Sequence, residues 1–76
     1  MREVIETIVK ALADDVETVE VREVDRNGTT IIQIRVAQED MGKIIGKQGR
    51  TVRALRSLVH AVGIKRKKRF ILEVVE

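Results

Sequence analysis

Gly46 and Gly49 flank Lys47 and Gln48, and arginines follow at positions 50, 53 and 56. Glycine has no Cβ to hold its backbone away from a ligand, so a loop bounded by two of them can close on a small charged group. If Gly49 also opens a helix, the N–H groups of that helix's first turn lack intrahelical acceptors and carry the positive end of its dipole to the same point. An anion of phosphate size fits such a place. Lys47 at the tip and Arg50 in the first turn add formal charge, while Arg53 and Arg56 extend it as a ridge, with His60 four residues beyond. Taken alone, the glycines would serve equally to end one helix at Gly46 and begin another at Gly49. The aligned basic ridge favours the anion site.

Other chemistries lack their residues. A nucleotide-phosphate loop of the Walker kind needs four residues between its glycines and then Lys-Ser or Lys-Thr, whereas Gly42 and Gly46 enclose three and no hydroxyl follows Lys47. A dinucleotide fingerprint needs glycines at one, three and six after a strand, and those here fall at 42, 46 and 49. Asp14-Asp15 and Glu39-Asp40 are adjacent carboxylates with no identifiable base or nucleophile beside them, so helix termination and capping account for them. With no cysteine and the single His60, a thiolate zinc site is excluded. Neither a catalytic residue nor a cofactor, metal or small-molecule substrate is expected.

The elements that must position the loop follow from periodicity. Val4, Ile5, Ile8, Val9 and Leu12 form one stripe of a helix over 2–14. Val19 and Val21 alternate with polar residues, and after Asn27-Gly28, which suits a tight hairpin turn, Ile32, Ile34 and Val36 resume the alternation. The step from Val21 to Val24 breaks strict period two, which implies a bulge. Met41, Ile44 and Ile45 predict a short helix that Gly46 ends, with Glu39 and Asp40 in its first turn. A longer helix runs over 50–62 with Val52, Leu55, Leu58, Val59 and Val62 inward and Gly63 as its stop. Phe70, Leu72 and Val74 predict a closing strand. The resulting order, α-β-β-α-α-β, is an α+β fold of one domain over 1–76, with a three-stranded mixed sheet covered by three helices. The last strand returns after a helical crossover and so runs parallel to a hairpin strand.

Charge divides along the chain. Residues 1–42 hold five basic against ten acidic side chains, a balance of −5, and residues 43–76 hold ten against two, a balance of +8. A polyanion on one face of a small domain is the partner such a split implies, although an ordinary uneven surface would carry it too. The basic run Lys65-Arg66-Lys67-Lys68-Arg69 is either a second phosphate patch or a solvated edge that discourages strand pairing. No apolar run is long enough to span a bilayer and the N-terminus lacks a signal-peptide core, so a cytoplasmic protein with no membrane partner is expected. Phe70 is the only aromatic residue, which leaves no sheet of stacking rings for bases.

Ile44-Ile45-Gly46-Lys47-Gln48-Gly49-Arg50-Thr51-Val52 resembles the KH signature, an apolar pair, then G-x-x-G, then two residues and an aliphatic one. Its element order is similar to the type II KH fold. In size and in its basic segment before the last strand the chain resembles the bacterial KhpA (YlqC-like) group of stand-alone KH proteins. KH loops clamp about four single-stranded nucleotides. The resemblance implies that Gly46 and Gly49 meet phosphates, that Lys47 and Gln48 are the loop's variable pair, and that Ile44, Ile45 and Val52 form an apolar framework partly beneath the bases. Arg50, Arg53 and Arg56 would extend the electrostatic track. It also implies single-stranded RNA as partner, a homodimer or a heterodimer with a KhpB-like (Jag-like) KH protein, and work as an RNA chaperone linked to cell elongation and envelope homeostasis. Two other readings stay open: a helix-turn-helix that puts Arg50, Arg53 and Arg56 into a DNA major groove, and a protein-interaction module whose basic residues only keep it soluble.

Overall fold

The computed structural model describes residues 1–75; Glu76, the last residue of the expected domain, lies outside them. The elements are α1 (Arg2–Leu12), β1 (Glu20–Arg26), β2 (Thr29–Arg35), α2 (Met41–Ile45), α3 (Arg50–Arg66) and β3 (Arg69–Val75), with short 3-10 turns at Gln38–Asp40 and Lys47–Gly49. The sheet order is β1-β2-β3, with β1 antiparallel and β3 parallel to β2. Element order and strand directions are those expected of the type II KH arrangement.

Period two decides which sheet face is covered. Val21, Ile32, Ile34 and Leu72 are buried on the helix side, where they join Ile5 and Val9 of α1, Ile44 of α2 and Val52, Leu55 and Val59 of α3 in one core. Each such side chain removed from water contributes roughly 1.5–3 kcal/mol before entropy is charged against it. Phe70 and Val74 pack partly buried against the same cluster. The register between β1 and β2 runs without interruption from the Glu20–Arg35 pair to the Arg26–Thr29 pair, so the expected bulge is absent. Val24 breaks the alternation because it serves the opposite face. There it pairs with Ile31, which pairs in turn with Ile71, and this apolar row across three strands leaves Ile31 only 7% exposed.

Helix α1 buries Ile5 and Val9 completely but leaves Val4 and Leu12 substantially exposed, so its apolar stripe is wider than the surface it covers. Glu6 pairs with Arg2 and Lys10 one turn away on either side. The helix stops at Leu12 rather than at the expected residue 14. Ala13 turns extended, and the N–H groups of Asp14 and Asp15 donate to Oδ1 and Oδ2 of Asp40 at 3.2 and 3.0 Å. Asp40 is the one buried charged residue among those described. Its carboxylate ties the end of α1 to the start of α2, and Lys43 pairs with both Asp14 and Asp40.

Helix α3 continues past Gly63 to Arg66, because Ile64, Lys65 and Arg66 are adequate helix formers and cations suit a C-terminus. Leu58, expected inward, is 38% exposed. Lys67 takes the left-handed closing position, and the N–H of Lys68 returns to the Gly63 carbonyl at 2.8 Å. Gly63 permits that return: a Cβ there would stand 2.7 Å from the Lys68 carbonyl oxygen and 3.1 Å from the Phe70 ring. Its role is close approach between α3 and the lead into β3, not termination.

Candidate nucleic-acid interface

Helix α2 ends at Gly46, whose backbone (φ 78°, ψ 169°) lies in a region essentially confined to glycine. The chain then rises through Lys47 and turns over Gln48 (φ 57°) and Gly49 (φ 72°) into α3. The Gly49 N–H closes the turn on the Gly46 carbonyl at 3.1 Å. Thr51 packs directly on the Cα of Gly46, where a Cβ would fall 2.2 Å from its Oγ1. A Cβ on Gly49 would meet nothing within 4 Å. Both glycines are used, but for different reasons: Gly46 for contact within the protein, Gly49 for a left-handed residue that leaves its outer side open.

The arginines divide as well. Arg53 folds back on the loop, donating from Nη2 to the Gln48 carbonyl at 2.7 Å and from Nε to the Gly49 carbonyl at 3.4 Å. Its cation thus offsets the carbonyl ends of the loop and braces the turn. Arg50 and Arg56 remain exposed, and among the described residues neither has a carboxylate partner within ion-pair distance. Lys47 at the exposed tip and Arg50 at the start of α3 give the turn its cationic rim, while Arg56 lies farther along the helix.

Beside this rim lies a groove of about 610 Å³ lined by Val36, Gln38, Met41 and Ile45. Its floor is the outer side of α2, where Ile45 is 39% exposed although its neighbour Ile44 is wholly buried. The apolar pair before Gly46 is therefore split: Ile45 faces the groove, and Ile44 holds α2 to the core together with Val52. Gln38 adds an amide at the groove's edge that can both donate and accept hydrogen bonds. Val36 and Gln38 carried no signal as site residues, because one reads as the end of a strand and the other as loop.

His60 stands apart from this site. With Arg56 and Ser57 it borders a shallow depression over Phe70, Ile71 and Leu72. The carboxylates Asp14, Asp15 and Asp40 lie at the junction of α1 and α2, where they hold structure. Among the described residues no group of three or more His, Asp or Glu side chains is arranged to hold a metal ion.

A family model described as KhpA/KhpB, KH domain matches residues 2–74. The chain belongs to the KhpA/KhpB KH-domain family. Relatives named RNA-binding protein KhpA align along all or nearly all of their length. That of Caldanaerobacter subterraneus subsp. tengcongensis is 51% identical over 75 residues, covering 99% of this chain and 100% of the relative. That of Aquifex aeolicus is 41% identical over 76 residues, covering 100% and 96%. That of Listeria monocytogenes is 43% identical over 76 residues, covering both chains completely. No solved structure matches the chain significantly. The Gly46–Gly49 turn and the α2 groove adjoin, since Ile45, which lines the groove, directly precedes Gly46.

Proposed function

We propose that this chain binds single-stranded RNA and catalyses no reaction. Gly46, Lys47, Gln48 and Gly49 grip backbone phosphates with Arg50 and Arg56, Arg53 braces the grip, and the groove of Val36, Gln38, Met41 and Ile45 receives the bases. The observation that carries this reading is the apolar groove directly beside an unpaired cationic turn, a combination that a merely solvated surface does not need. The relatives' name, RNA-binding protein KhpA, supports it. Among the described residues no helix is long and apolar enough to cross a membrane. In this reading the chain works in the cytoplasm as an RNA chaperone, and its link to cell elongation and envelope homeostasis runs through the RNAs it holds. A groove without stacking aromatics binds weakly, so a second copy or a KhpB-like KH protein supplies avidity.

The test is fluorescence anisotropy of a labelled mixed-sequence RNA with wild type and with the Lys47→Asp, Gln48→Asp double variant. Two carboxylates in the turn replace a cation with anions where phosphate sits, and affinity falls at least about tenfold while circular dichroism stays unchanged. If three to five phosphates are engaged, log affinity falls against log salt with a slope of roughly −2 to −3.5. Equal binding by both proteins overturns the reading, as does better competition by duplex DNA than by single-stranded RNA.

Arg53→Lys separates bracing from charge. Lysine keeps the cation but cannot span two carbonyls with a planar fork. Affinity drops several-fold with the salt slope unchanged; a shallower slope would mean that Arg53 touches phosphate itself.

A further inference from the structure

We propose a second RNA contact at the opposite end of α3, formed by Lys65, Arg66, Lys67, Lys68 and Arg69 with Arg26, which holds the phosphates of a strand extending beyond the Gly46–Gly49 turn. It rests on the RNA-binding reading above. Arg69, the last of the run of five, is brought near Arg26 by the sheet: Thr29 pairs with Arg26 on one side and with Arg69 on the other, so both arginines flank it in one row on one face. All six cations are exposed. Among the described residues the ion pairs engage Arg2, Lys10, Arg22 and Lys43, and none of these six. The nearest acidic residue in sequence, Asp25, accepts the Thr30 hydroxyl at 2.8 Å.

Structural duties account for only part of this charge. Lys65 and Arg66 lie in the last turn of α3, where cations complement the helix dipole. Arg69 is the first residue of β3 and guards its open edge. Lys68 does neither. Lys67 occupies a left-handed position (φ 55°, ψ 40°) at which a helix ordinarily closes with glycine. A lysine stands where both backbone preference and like-charge repulsion oppose it, and sites that break local rules are where function is expected. A polyanion is the ligand that relieves the repulsion and gives the cation at this strained position a use.

The two contacts are far enough apart to be tested separately. Helix α3 is 17 residues long, so its ends are about 25 Å apart. A stacked strand advancing about 3.4 Å per nucleotide crosses that distance in about seven nucleotides. With the roughly four held at the turn, an RNA of about twelve nucleotides reaches both contacts and one of about four reaches only the turn.

Anisotropy with these two RNA lengths at low salt provides the test, using wild type and a Lys67→Gln, Lys68→Gln, Arg69→Gln triple variant checked for folding. The variant loses about tenfold or more on the longer RNA, its salt slope becomes shallower by about 2, and it binds the shorter RNA as wild type does. A single Lys67→Gly variant gives opposite signs: it melts at a higher temperature because glycine suits the left-handed closure, yet it binds the longer RNA more weakly. Equal binding of the longer RNA by wild type and triple variant overturns the proposal, as does equal loss on both lengths. If wild type binds neither RNA, the underlying reading falls and this one with it. If instead the Lys47→Asp, Gln48→Asp variant binds normally while the triple variant does not, the turn is excluded, and the proposal of a second contact extending from it is overturned in favour of 65–69 as the primary one.

Discussion

Gly46→Ala is expected to cost about 3 kcal/mol or more in stability and to remove RNA binding, whereas Gly49→Ala costs about 1 kcal/mol and weakens binding only modestly. At Gly46 two penalties coincide. The backbone at φ 78°, ψ 169° excludes any side chain, and the new Cβ would overlap Thr51 at 2.2 Å from Oγ1, 2.7 Å from Cβ and 2.8 Å from the backbone nitrogen. Rotating Thr51 clears only the first of these, so the turn itself must move and its anion-facing geometry goes with it. At Gly49 the added methyl meets open space and the left-handed backbone is the sole cost. Urea denaturation and RNA anisotropy on both variants measure the difference. Similar, small losses at both positions would mean that the turn is pliable and that its shape does not govern binding.

How far the site could be read in advance depended on whether a residue's role was periodic. The strand faces were legible because alternation follows from the pleat, and Ile32, Ile34, Leu72 and Val21 fall inward as the pattern requires. The glycine pair was legible because Gly46 takes a backbone essentially confined to glycine and Gly49 a left-handed one that favours it. Roles set by contacts distant in sequence were not. Asp40 reads as a helix-start residue, yet its carboxylate serves backbone groups 25 and 26 residues earlier. Arg53 reads as the middle of a ridge, yet it turns back to carbonyls four and five residues before it. Gly63 resembles a stop signal until β3's approach from beyond the helix is known. Val24 looked like a bulge because one-face alternation ignored the second, half-covered face of the sheet.

The charge split acquires a meaning from the same contacts. Acidic residues in the first half engage Arg2, Lys10, Arg22 and Lys43, all before the turn, and Asp40 is held among backbone donors. Among the described residues, the cations from Lys47 onward have no such partners. Carboxylates here stabilise the fold at its α1 side and leave the α3 side uncompensated, which is the arrangement that attracts a polyanion without neutralising its receptor first.

Asp40→Asn is expected to lower the melting temperature at neutral pH and to weaken RNA binding, although Asp40 touches neither the turn nor the groove. An amide of the same size can accept one of the two N–H bonds from Asp14 and Asp15, but it presents its own N–H groups to the other donor and to Lys43. The junction that fixes the start of α2 loosens, and Met41 and Ile45, which line the groove, are on α2. The backbone N–H groups of Asp15 and Asp14, with Lys43 beside them, hold the Asp40 carboxyl below its ordinary value of 3.8. A carboxylate depressed in the folded state contributes stability that is complete above the unfolded-state value and is lost as pH falls through the lower folded value. The gap in melting temperature between wild type and Asp40→Asn is therefore constant down to about pH 4 and closes below it. The hydrogen bond to Asp14 is the main cause that raises Lys43 above its usual 10.5, so Lys43 contributes below that value and loses its contribution as pH rises through the raised one. That alkaline change is small, since both partners are largely in solvent and water screens their attraction. Thermal unfolding of both proteins across the acid range decides the matter. A gap that stays constant to the lowest pH would mean that Asp40 acts through its shape alone, and that α2 is held by packing rather than by this charge.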